Sequence, residues 1–462
     1  MSRSFYRIFI FLLPVILLMS CRVTRTYESP GIQRMDSFRG GGTADTTTIA
    51  GLPWRSVFTD TILQSVIEKG ISQNFDLQIA YTRIRQSQAY YKQSRAAFLP
   101  ELDANASVGR LRLSKAQNFG LVSNVTEYQL GLSAAWEADV WGRLSSAKRA
   151  SQASLLRTEA GARAIQSEIV SQIASLYYTL MALDQQVIIT GQTVRNWDTT
   201  VTTMQALQES ARVTEAAVVQ CKAQRDAAAV TIPDLYQSIR ETENALCILL
   251  GVPPASIGRN RLGDQGAIAL LNTGVPAQLL ANRPDVQQAE QAYRYAFELT
   301  NVARTAFYPA VIITGSAGYS SFSFGSLFDV SSLGASLIGG LFQPIFNRRL
   351  NKTKLEVAKE QQQAALLSFR SILLAAGQEV SDALSLHAAA RNKAVIRSSE
   401  IVELQQSVDD TQELLQNGFA NYTEVITARQ SLLAAELGRI NDKLQELQAV
   451  VRLYTALGGG WR

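Results

Sequence analysis

The chain has 462 residues, of which 47% are hydrophobic and 18% are charged. Its formal net charge of +5 would fall to +3 with the loss of Arg3 and Arg7, and no basic run accompanies it, which argues against a nucleic-acid-binding protein. No run of eighteen apolar residues follows the N-terminal region, so no membrane-spanning helix is predicted.

Residues 1–20 resemble the signal peptide of a bacterial lipoprotein. Two arginines precede an apolar stretch, Ile8 to Leu18, that is too short to span a bilayer. Cys21 follows at the position where lipoproteins carry their acylated cysteine. The resemblance implies acylation of Cys21 and sorting to the outer membrane, with residues 21–53 forming a polar tether. The alternative is an ordinary signal peptide with an incidental cysteine.

A helical pattern begins shortly after this tether. Leu63 and Ile67 start an apolar face at helical spacing, and Asp60 stands where a helix N-cap is expected. The helical region is predicted to end before Pro100, because the residue before a proline is disfavoured in a helix.

A segment of 25 residues occurs twice, 209 positions apart. Asp76 to Pro100 and Asp285 to Pro309 share eight identities without a gap. The identical pairs are Asp76/Asp285, Gln78/Gln287, Ala80/Ala289, Arg85/Arg294, Arg95/Arg304, Ala97/Ala306, Phe98/Phe307 and Pro100/Pro309. An alternating stretch and then long helical stretches follow each copy. The chain is therefore predicted to be an internal duplication, in which each half has the same order of elements.

An alternating stretch with one apolar and one small or polar face follows each copy, as expected for strand pairs. Four strands are predicted, at Leu102–Val108, Tyr128–Trp136, Val311–Tyr319 and Leu333–Leu341, within regions of about 102–138 and 311–342. Ile312 and Ile338 fall out of phase in the second pair.

Very long stretches with apolar residues three and four positions apart come next, which is coiled-coil spacing. The predicted helices are about Arg143–Gln205 and Leu207–Leu250 in the first half, and Asn347 to about Gln416 with a return helix to about 457 in the second. The Asn347 helix would be ~100 Å long if unbroken. Pro233 is predicted to kink the second helix, and Gly418 to form the hinge between the last two.

These elements predict a first repeat at 54–250 with helices within about 143–250, a linker at 251–281, and a second repeat at 282–462 with helices within about 347–457. The predicted fold class is mixed α+β and mostly α.

No constellation of nucleophile, base or metal ligands is apparent. His387 is the sole histidine and stands at a core position of a coiled coil. Cys221 and Cys247 are 26 residues apart in one predicted helix, or ~39 Å, whereas a disulfide needs Cα atoms within about 7 Å. We therefore predict no enzyme activity, no cofactor, no metal site and two buried cysteines.

Four strands of about ten residues with one apolar face fit the strands of a membrane barrel. Four strands cannot close such a barrel, and open sheet edges are not tolerated in lipid. We therefore expect several copies to pool their strands, three copies giving twelve. The alternative is a soluble four-stranded sheet beside a coiled coil.

Specific motifs extend from Cys21 to Trp461. They are Trp54 with Asn74-Phe75-Asp76-Leu77, Leu249-Leu250-Gly251-Val252-Pro253, Gly274-Val275-Pro276, Leu279-Leu280, Asn282-Arg283-Pro284-Asp285-Val286, Ala289-Glu290, Phe307-Tyr308-Pro309, Pro344-Ile345-Phe346, Glu379-Val380, Asp382-Ala383-Leu384 and Ala456-Leu457-Gly458-Gly459-Gly460-Trp461. Together they resemble the TolC-like outer-membrane efflux factors, in particular their NodT-type lipoprotein branch.

The resemblance implies a homotrimer with a twelve-stranded barrel in the outer-membrane lipid and a coiled-coil helical barrel in the periplasm. Its partners would be a periplasmic adaptor and an inner-membrane pump of the RND type, and its cargo small solutes. Two alternatives stay open: the conduit of a type I protein secretion system, and a trimeric coiled-coil surface tether without a channel.

The segment from Leu415 to Val425 resembles the family's periplasmic tip motif. Gly418 is followed six residues later by Glu424, and Tyr422 lies between them. The resemblance implies that these residues form a gate, with one Glu424 from each subunit in a ring of negative charge. Thr427 replaces the second acid of the pattern, and Glu215 is a loose candidate for the first-half counterpart. Alternatively, Glu424 is a solvated residue on a helix face.

Overall fold

The structure is a computed structural model that describes residues 23–30, 49–113, 123–265 and 282–462. Cys21 and the motifs at 274–280 lie outside the described residues. The strands are β1 Glu101–Leu113, β2 Ser123–Ala138, β3 Ala310–Ser321 and β4 Leu333–Phe342. The described α-helices are α1 Trp54–Val57, α2 Thr61–Gln73, α3 Phe75–Ala96, α4 Arg143–Glu209, α5 Glu215–Ala229, α6 Thr231–Leu249, α7 Pro284–Thr305, α8 Leu350–Gln416 and α9 Tyr422–Ala456. The predicted class, mostly helical with four strands, is confirmed.

The four strands form one antiparallel sheet in the order β1-β2-β3-β4. The first hairpin is longer than predicted, because the pairing of β1 with β2 continues to Leu113 opposite Ser123. The apolar alternation ends at Val108, but the backbone ladder does not need apolar side chains and extends beyond it. β2 pairs with β3, which joins the hairpin of the first half to the hairpin of the second.

The helix after the first turn is interrupted earlier than predicted. α5 ends at Ala229 and α6 begins at Thr231, so the break is at Val230 rather than at Pro233. Proline cannot donate a hydrogen bond to the carbonyl four residues before it, and its ring clashes with that carbonyl, which here belongs to Ala229. The helix therefore ends there, and Pro233 lies in the first turn of α6, where proline is tolerated.

The chain divides into two compact units, and each draws on both predicted repeats. The first unit contains residues 23–30, Arg83–Glu159 without 114–122, and Gln288–Phe369, and so holds the sheet. The second contains 49–82, Ala160–Gln287 without 266–281, and Arg370–Arg462. Its core includes Phe58 and Tyr454, whose rings meet edge to face at 5.9 Å.

In the second unit, one contact is repeated in both halves of the chain. The Asn74 amide donates to the carbonyl of Leu249 at 2.9 Å, and the Arg283 guanidinium donates to the carbonyl of Ala456 at 2.9 Å. Each carbonyl lies two residues before a glycine with positive φ, at 251 and 458, that approaches backbone where a Cβ would clash. In each half, a motif at the start of the repeat thus contacts a motif at its end through the same kind of hydrogen bond and the same close approach of a glycine. We call this contact the repeated contact.

In the first unit, residues 23–30 lie against α7. The Asn301 side chain accepts from the backbone N–H of Arg25 at 3.0 Å and donates to its carbonyl at 2.9 Å. The Tyr27 ring packs edge to face on Phe297 at 5.6 Å, and Ser29 donates to Glu290 at 2.6 Å. The segment is therefore held by both backbone and side-chain contacts.

The predicted apolar stripe of the long second-half helix is confirmed. Its buried members are Phe369, Leu373, Ala376, Val380, Ala383, Ala390, Val408 and Leu415. Arg397 interrupts the stripe because it pairs with the buried Asp442 at 3.1 Å and lies over Gly438. Within the described ranges, no helix has both the length and the apolar composition needed to cross a membrane.

Candidate functional site

The strand register assigns the side chains of the sheet to two chemically different faces, since directly opposed residues point to the same side. The apolar face contains Leu102, Ala104, Ala106, Val108, Tyr128, Leu130, Leu132, Ala134, Trp136, Val311, Ile313, Ala317, Tyr319, Leu333, Leu337 and Leu341. Most of its large side chains are exposed in the single chain, including Val108 and Leu337. Such a face needs an apolar environment that one chain does not supply.

Aromatic residues mark both ends of the apolar face. Trp136 lies at the end near the helices, where its indole N–H donates to the carbonyl of Phe98 at 2.9 Å. At the hairpin end, Tyr128 and Tyr319 pack edge to face on phenylalanines of the loop between β3 and β4. Eight residues separate Trp136 from Tyr128, or ~27 Å along the strand. Length and aromatic ends both match the lipid-facing band of a membrane strand.

The opposite face is lined by small and polar residues. Its members include Glu101, Asp103, Asn105, Ser107, Glu127, Gln129, Gly131, Ser133, Thr314, Ser316, Gly318, Ser320, Gly334 and Ser336. No Lys or Arg occurs on this face within the described strands. Ile312 and Ile338, the out-of-phase residues, also lie on it, in rows at the helix-proximal end with Glu137 and Thr314. A face of this composition can border water.

The second candidate site is a pair of matching turns in the second unit. The turn after α4 and the turn after α8 both close with a hydrogen bond to the carbonyl five residues earlier, from Arg212 to Leu207 and from Phe419 to Leu414. The residue before each donor has positive φ, +80° at Gly418 and +57° at Ala211. This is the Schellman motif, in which glycine is favoured. The predicted hinge at Gly418 is therefore a helix C-cap turn.

The turns also define which residues correspond. Thr214 and Asn421 are the N-caps of α5 and α9, and their carbonyls accept from the N–H groups of Ala217 and Glu424. Ala217, which is buried, thus takes the place of Glu424 in the first half. Glu215 corresponds to Tyr422 instead, two residues earlier, because the offset between halves is 207 here rather than 209.

The structure brings the three gate candidates together at the start of α9. Glu424 is exposed in the first turn of the helix, and the open space around Gly418 contains no atom within 4 Å of an added Cβ. Tyr422 is partly buried against an apolar cluster built by four helices. The cluster consists of Trp197, Val201, Met204, Val218, Cys221, Ala228, Leu415, Val425 and Ile426.

A contact that sequence patterns did not indicate joins the two turns. The Arg212 guanidinium donates to the carbonyl of Gln416 at 3.1 Å, one of the carbonyls that α8 leaves without a helical partner. Only the charge and length of Arg212 could have suggested it, since cations favour helix C-termini. The two turns therefore lie side by side in the second unit.

Burial shifts the pKa of two groups near these turns. It lowers the pKa of Arg429, whose guanidinium donates to Gln412 at 2.7 Å and lies over the Trp197 ring. It raises the pKa of the Cys221 thiol, which keeps this thiol neutral. Cys221 and Cys247 are both buried and free, as predicted, but they belong to α5 and α6 rather than to one helix.

Across the described ranges, no group of three or more His, Cys, Asp or Glu residues could hold a metal ion. His387 is partly buried, and burial lowers its pKa. The sheet thus presents one apolar and one polar surface, and the turn before α9 places the acidic side chain of Glu424 at the tip of a helical hairpin.

The sequence matches the family described as "Outer membrane efflux protein" over residues 66–252 and 275–459. Each matched segment contains one copy of the repeated contact, Asn74 with Leu249 in the first and Arg283 with Ala456 in the second.

Curated relatives match nearly end to end. The cation efflux system protein CusC of Escherichia coli O6:H1 is 28% identical over 457 residues, covering 96% of this chain and 97% of that protein. The solvent efflux pump outer membrane protein SrpC of Pseudomonas putida is 28% identical over 457 residues, covering 97% of each. The solved structure of the outer-membrane channel OprN, at 22% identity, has the same fold, with a TM-score of 0.89 over 96% of this chain and 100% of that one.

Proposed function

Because the chain belongs to the outer membrane efflux protein family, we propose that it is the outer-membrane channel subunit of a tripartite efflux system and conducts small solutes. The observation that carries this proposal is the sheet, with an apolar face of membrane length and a polar face of acids, amides and hydroxyls. A conduit needs both surfaces, and catalysis needs neither.

The edges of the sheet support a homotrimer, the assembly that the family resemblance implies. β1 and β4 are the outer strands, and their unpaired backbone groups are costly in lipid. Three chains that pair β4 of one with β1 of the next would close twelve strands into a barrel and leave no edge. The polar faces would then line the pore, and the long helices would continue it into the periplasm.

The partners in this proposal are a periplasmic adaptor and an inner-membrane pump of the RND type, which would supply the energy. The alternative is the conduit of a type I secretion system, which uses the same architecture with a different pump. A surface tether without a channel is disfavoured by the duplicated strand pairs. Relatives named for cation and solvent efflux favour small solutes.

Purified protein tests the channel directly. We expect a detergent-solubilised mass of three chains of about 50 kDa each and discrete conductance steps in a planar bilayer, because closing the sheet requires neighbours. Protein denatured and diluted into the same detergent is the control. A stable monomer with a folded sheet, or bilayers that stay silent with folded trimer, would contradict the proposed architecture.

Acylation of Cys21 is a second expected result. Thr24, three residues later, packs against Gly142, which follows the end of β2 by four residues. This contact supports an anchor close to the helix-proximal end of the sheet, where the membrane surface would lie. Labelled palmitate should enter the wild-type protein and not Cys21→Ala. Equal labelling of both proteins would exclude the lipid anchor at this residue.

The gate is proposed at the turn that contains Gly418, Tyr422 and Glu424. Threefold symmetry would bring three Glu424 carboxylates towards one axis, where they attract cations. Glu424→Gln should therefore reduce the cation preference of the channel and weaken its block by trivalent cations several-fold, measured as reversal potential and block in planar bilayers.

Glu215→Gln is the matched control, because it removes the same charge from the first turn of the corresponding helix. The structural correspondence places Glu215 where Tyr422 stands, so we expect a smaller effect from this variant. If both variants change selectivity equally, the acids of both turns contribute alike, and Glu424 has no special part in the gate. If neither does, Glu424 lies on the outer face of the helices.

A further inference from the structure

Only two cationic side chains occur in the described strands, and both lie on the apolar face. Arg110 and Arg112 follow Val108 at two-residue spacing on β1, so they share its face. Both are exposed. They lie opposite Thr126 and Asn124, in the two rows beyond the Val108–Tyr128 row.

The position of the two arginines along the strand also matters, because it sets their depth in the membrane. An arginine on a lipid-facing strand is strongly destabilising at the bilayer midplane but nearly neutral close to the interface. Arg110 and Arg112 come immediately after the Tyr128 row, which closes the apolar band. They therefore belong at the level of lipid headgroups, where phosphate is an anion that the guanidinium can bind through two hydrogen bonds.

An aromatic pair includes Tyr128, which lies in the row next to that of Arg110. Phe324, from the loop between β3 and β4, packs on the Tyr128 ring with centroids 5.6 Å apart, yet two thirds of it is exposed. Val108 is also mostly exposed, in the same row as Tyr128. This surface can contact acyl chains while the arginines contact the headgroup above them.

The end of the strand determines which lipid is available. β1 starts after α3 and reaches Arg110 and Arg112 at its hairpin end. If the chain is the outer-membrane channel proposed above, on which this inference rests, the hairpin end faces outwards. The lipid of the bacterial outer leaflet is an acylated glycolipid with phosphate groups on its sugars.

We infer that Arg110, Arg112 and Phe324 form a binding site for a phosphorylated glycolipid of the outer leaflet. The two arginines, whose Cα atoms are ~7 Å apart along the strand, bind one phosphate group, and the Phe324–Tyr128 pair supports the first acyl chains. Each subunit of a trimer would carry one such site on its lipid-facing surface.

The test measures binding of purified lipid A to the intact detergent-solubilised protein by native mass spectrometry. Arg110→Gln/Arg112→Gln should weaken binding about 30-fold, since each cation contributes about 1 kcal/mol near an anionic lipid surface. Arg110→Lys/Arg112→Lys should retain part of it, because charge remains but the planar fork is lost. Arg83→Gln/Arg85→Gln, on exposed positions of α3, is the matched control and should bind like the wild type.

Two further binding measurements test the inference if the double glutamine variant does not assemble. Wild-type protein should bind dephosphorylated lipid A far more weakly than the phosphorylated form, and Phe324→Ser should weaken binding with the arginines in place. The inference is overturned if phosphate removal has no effect, if the double variant binds normally, or if phosphatidylglycerol binds as tightly as lipid A.

These outcomes are separable from failure of the proposed function. Wild-type trimers that conduct ions but do not prefer phosphorylated lipid A would overturn this inference alone. Protein that forms no channel would remove both proposals together.

Discussion

Asp60→Ala should destabilise the second unit by on the order of 4 kcal/mol. The Asp60 carboxylate accepts five hydrogen bonds, two from the first N–H groups of α2 and three from distant side chains. The distant donors are Tyr177 at 3.0 Å, Asn260 at 3.0 Å and Gln265 at 2.8 Å. Alanine would leave these donors without an acceptor in a buried site, in addition to removing the helix cap.

The effect should depend on pH. Burial alone would raise the pKa of Asp60, but the hydrogen bonds from Leu63, Asn260 and Tyr177 outweigh it and lower this pKa overall. A carboxyl with a lowered folded pKa contributes stability above its unfolded pKa of about 3.9 and loses it as the pH falls through the folded value. The difference in the free energy of unfolding between wild type and Asp60→Asn should thus be constant around neutral pH and should decrease below about pH 4.

Thermal unfolding followed by far-ultraviolet circular dichroism checks both statements. Asp60→Asn keeps one acceptor oxygen and should recover about half of the lost stability. Asp76→Ala is the control, because Asp76 is also an acid at the start of a helix but is exposed. Equal unfolding temperatures for Asp60→Ala and Asp76→Ala would show that the cap and its network add nothing beyond an acidic charge near a helix N-terminus.

Asp60 also shows what the sequence could predict. Its role as an N-cap follows from its position just before an apolar helical face, and the structure confirms it. Its other partners are 117 to 205 residues away, and no local pattern relates them to it. A local hydrogen bond such as a helix cap is recognisable in the sequence, because its residues stand at a fixed spacing. Contacts between distant segments depend on how the helices pack and have no such pattern.

The same distinction holds for the sheet and the turns. Alternation predicted four strands and their apolar faces, but the register that places Arg110 on that face beyond Tyr128 required the pairing of two strands. Gly418 was predictable as a turn because glycine tolerates positive φ. Ala211 was not, because alanine carries no such signal, and its strained conformation is imposed by the turn that surrounds it.

Gly318→Ala should disrupt the sheet where its two hairpins join. Gly318 lies opposite Gly131 in the pairing of β2 with β3, the pairing that links the first-half hairpin to the second. A Cβ at Gly318 would lie 2.5 Å from both the Cα of Gly131 and the carbonyl oxygen of Leu130. Both are backbone atoms that cannot rotate away, so the strands would have to separate.

Overpacking of this kind costs about 1–3 kcal/mol or more, and about 1.4 kcal/mol corresponds to a tenfold change in an equilibrium. We therefore expect the equilibrium constant for forming the folded, heat-resistant species to fall at least about fivefold, measured on gels of unboiled membranes. Gly315→Ala is the control on the same strand, because its Cβ would meet nothing closer than Leu337 at 3.6 Å.

Gly131→Ala provides an intermediate case. Its Cβ would lie 3.3 Å from the Asn105 side chain and 3.4 Å from the carbonyl of Ala317, so a small adjustment relieves it. The folded fraction should therefore fall in the order Gly315→Ala, Gly131→Ala, Gly318→Ala. If all three variants assemble alike, close backbone approach at Gly318 is not what holds the hairpins together. If Gly315→Ala fails as well, any side chain added to β3 is disruptive, and the glycine pair has no special part in closing the sheet.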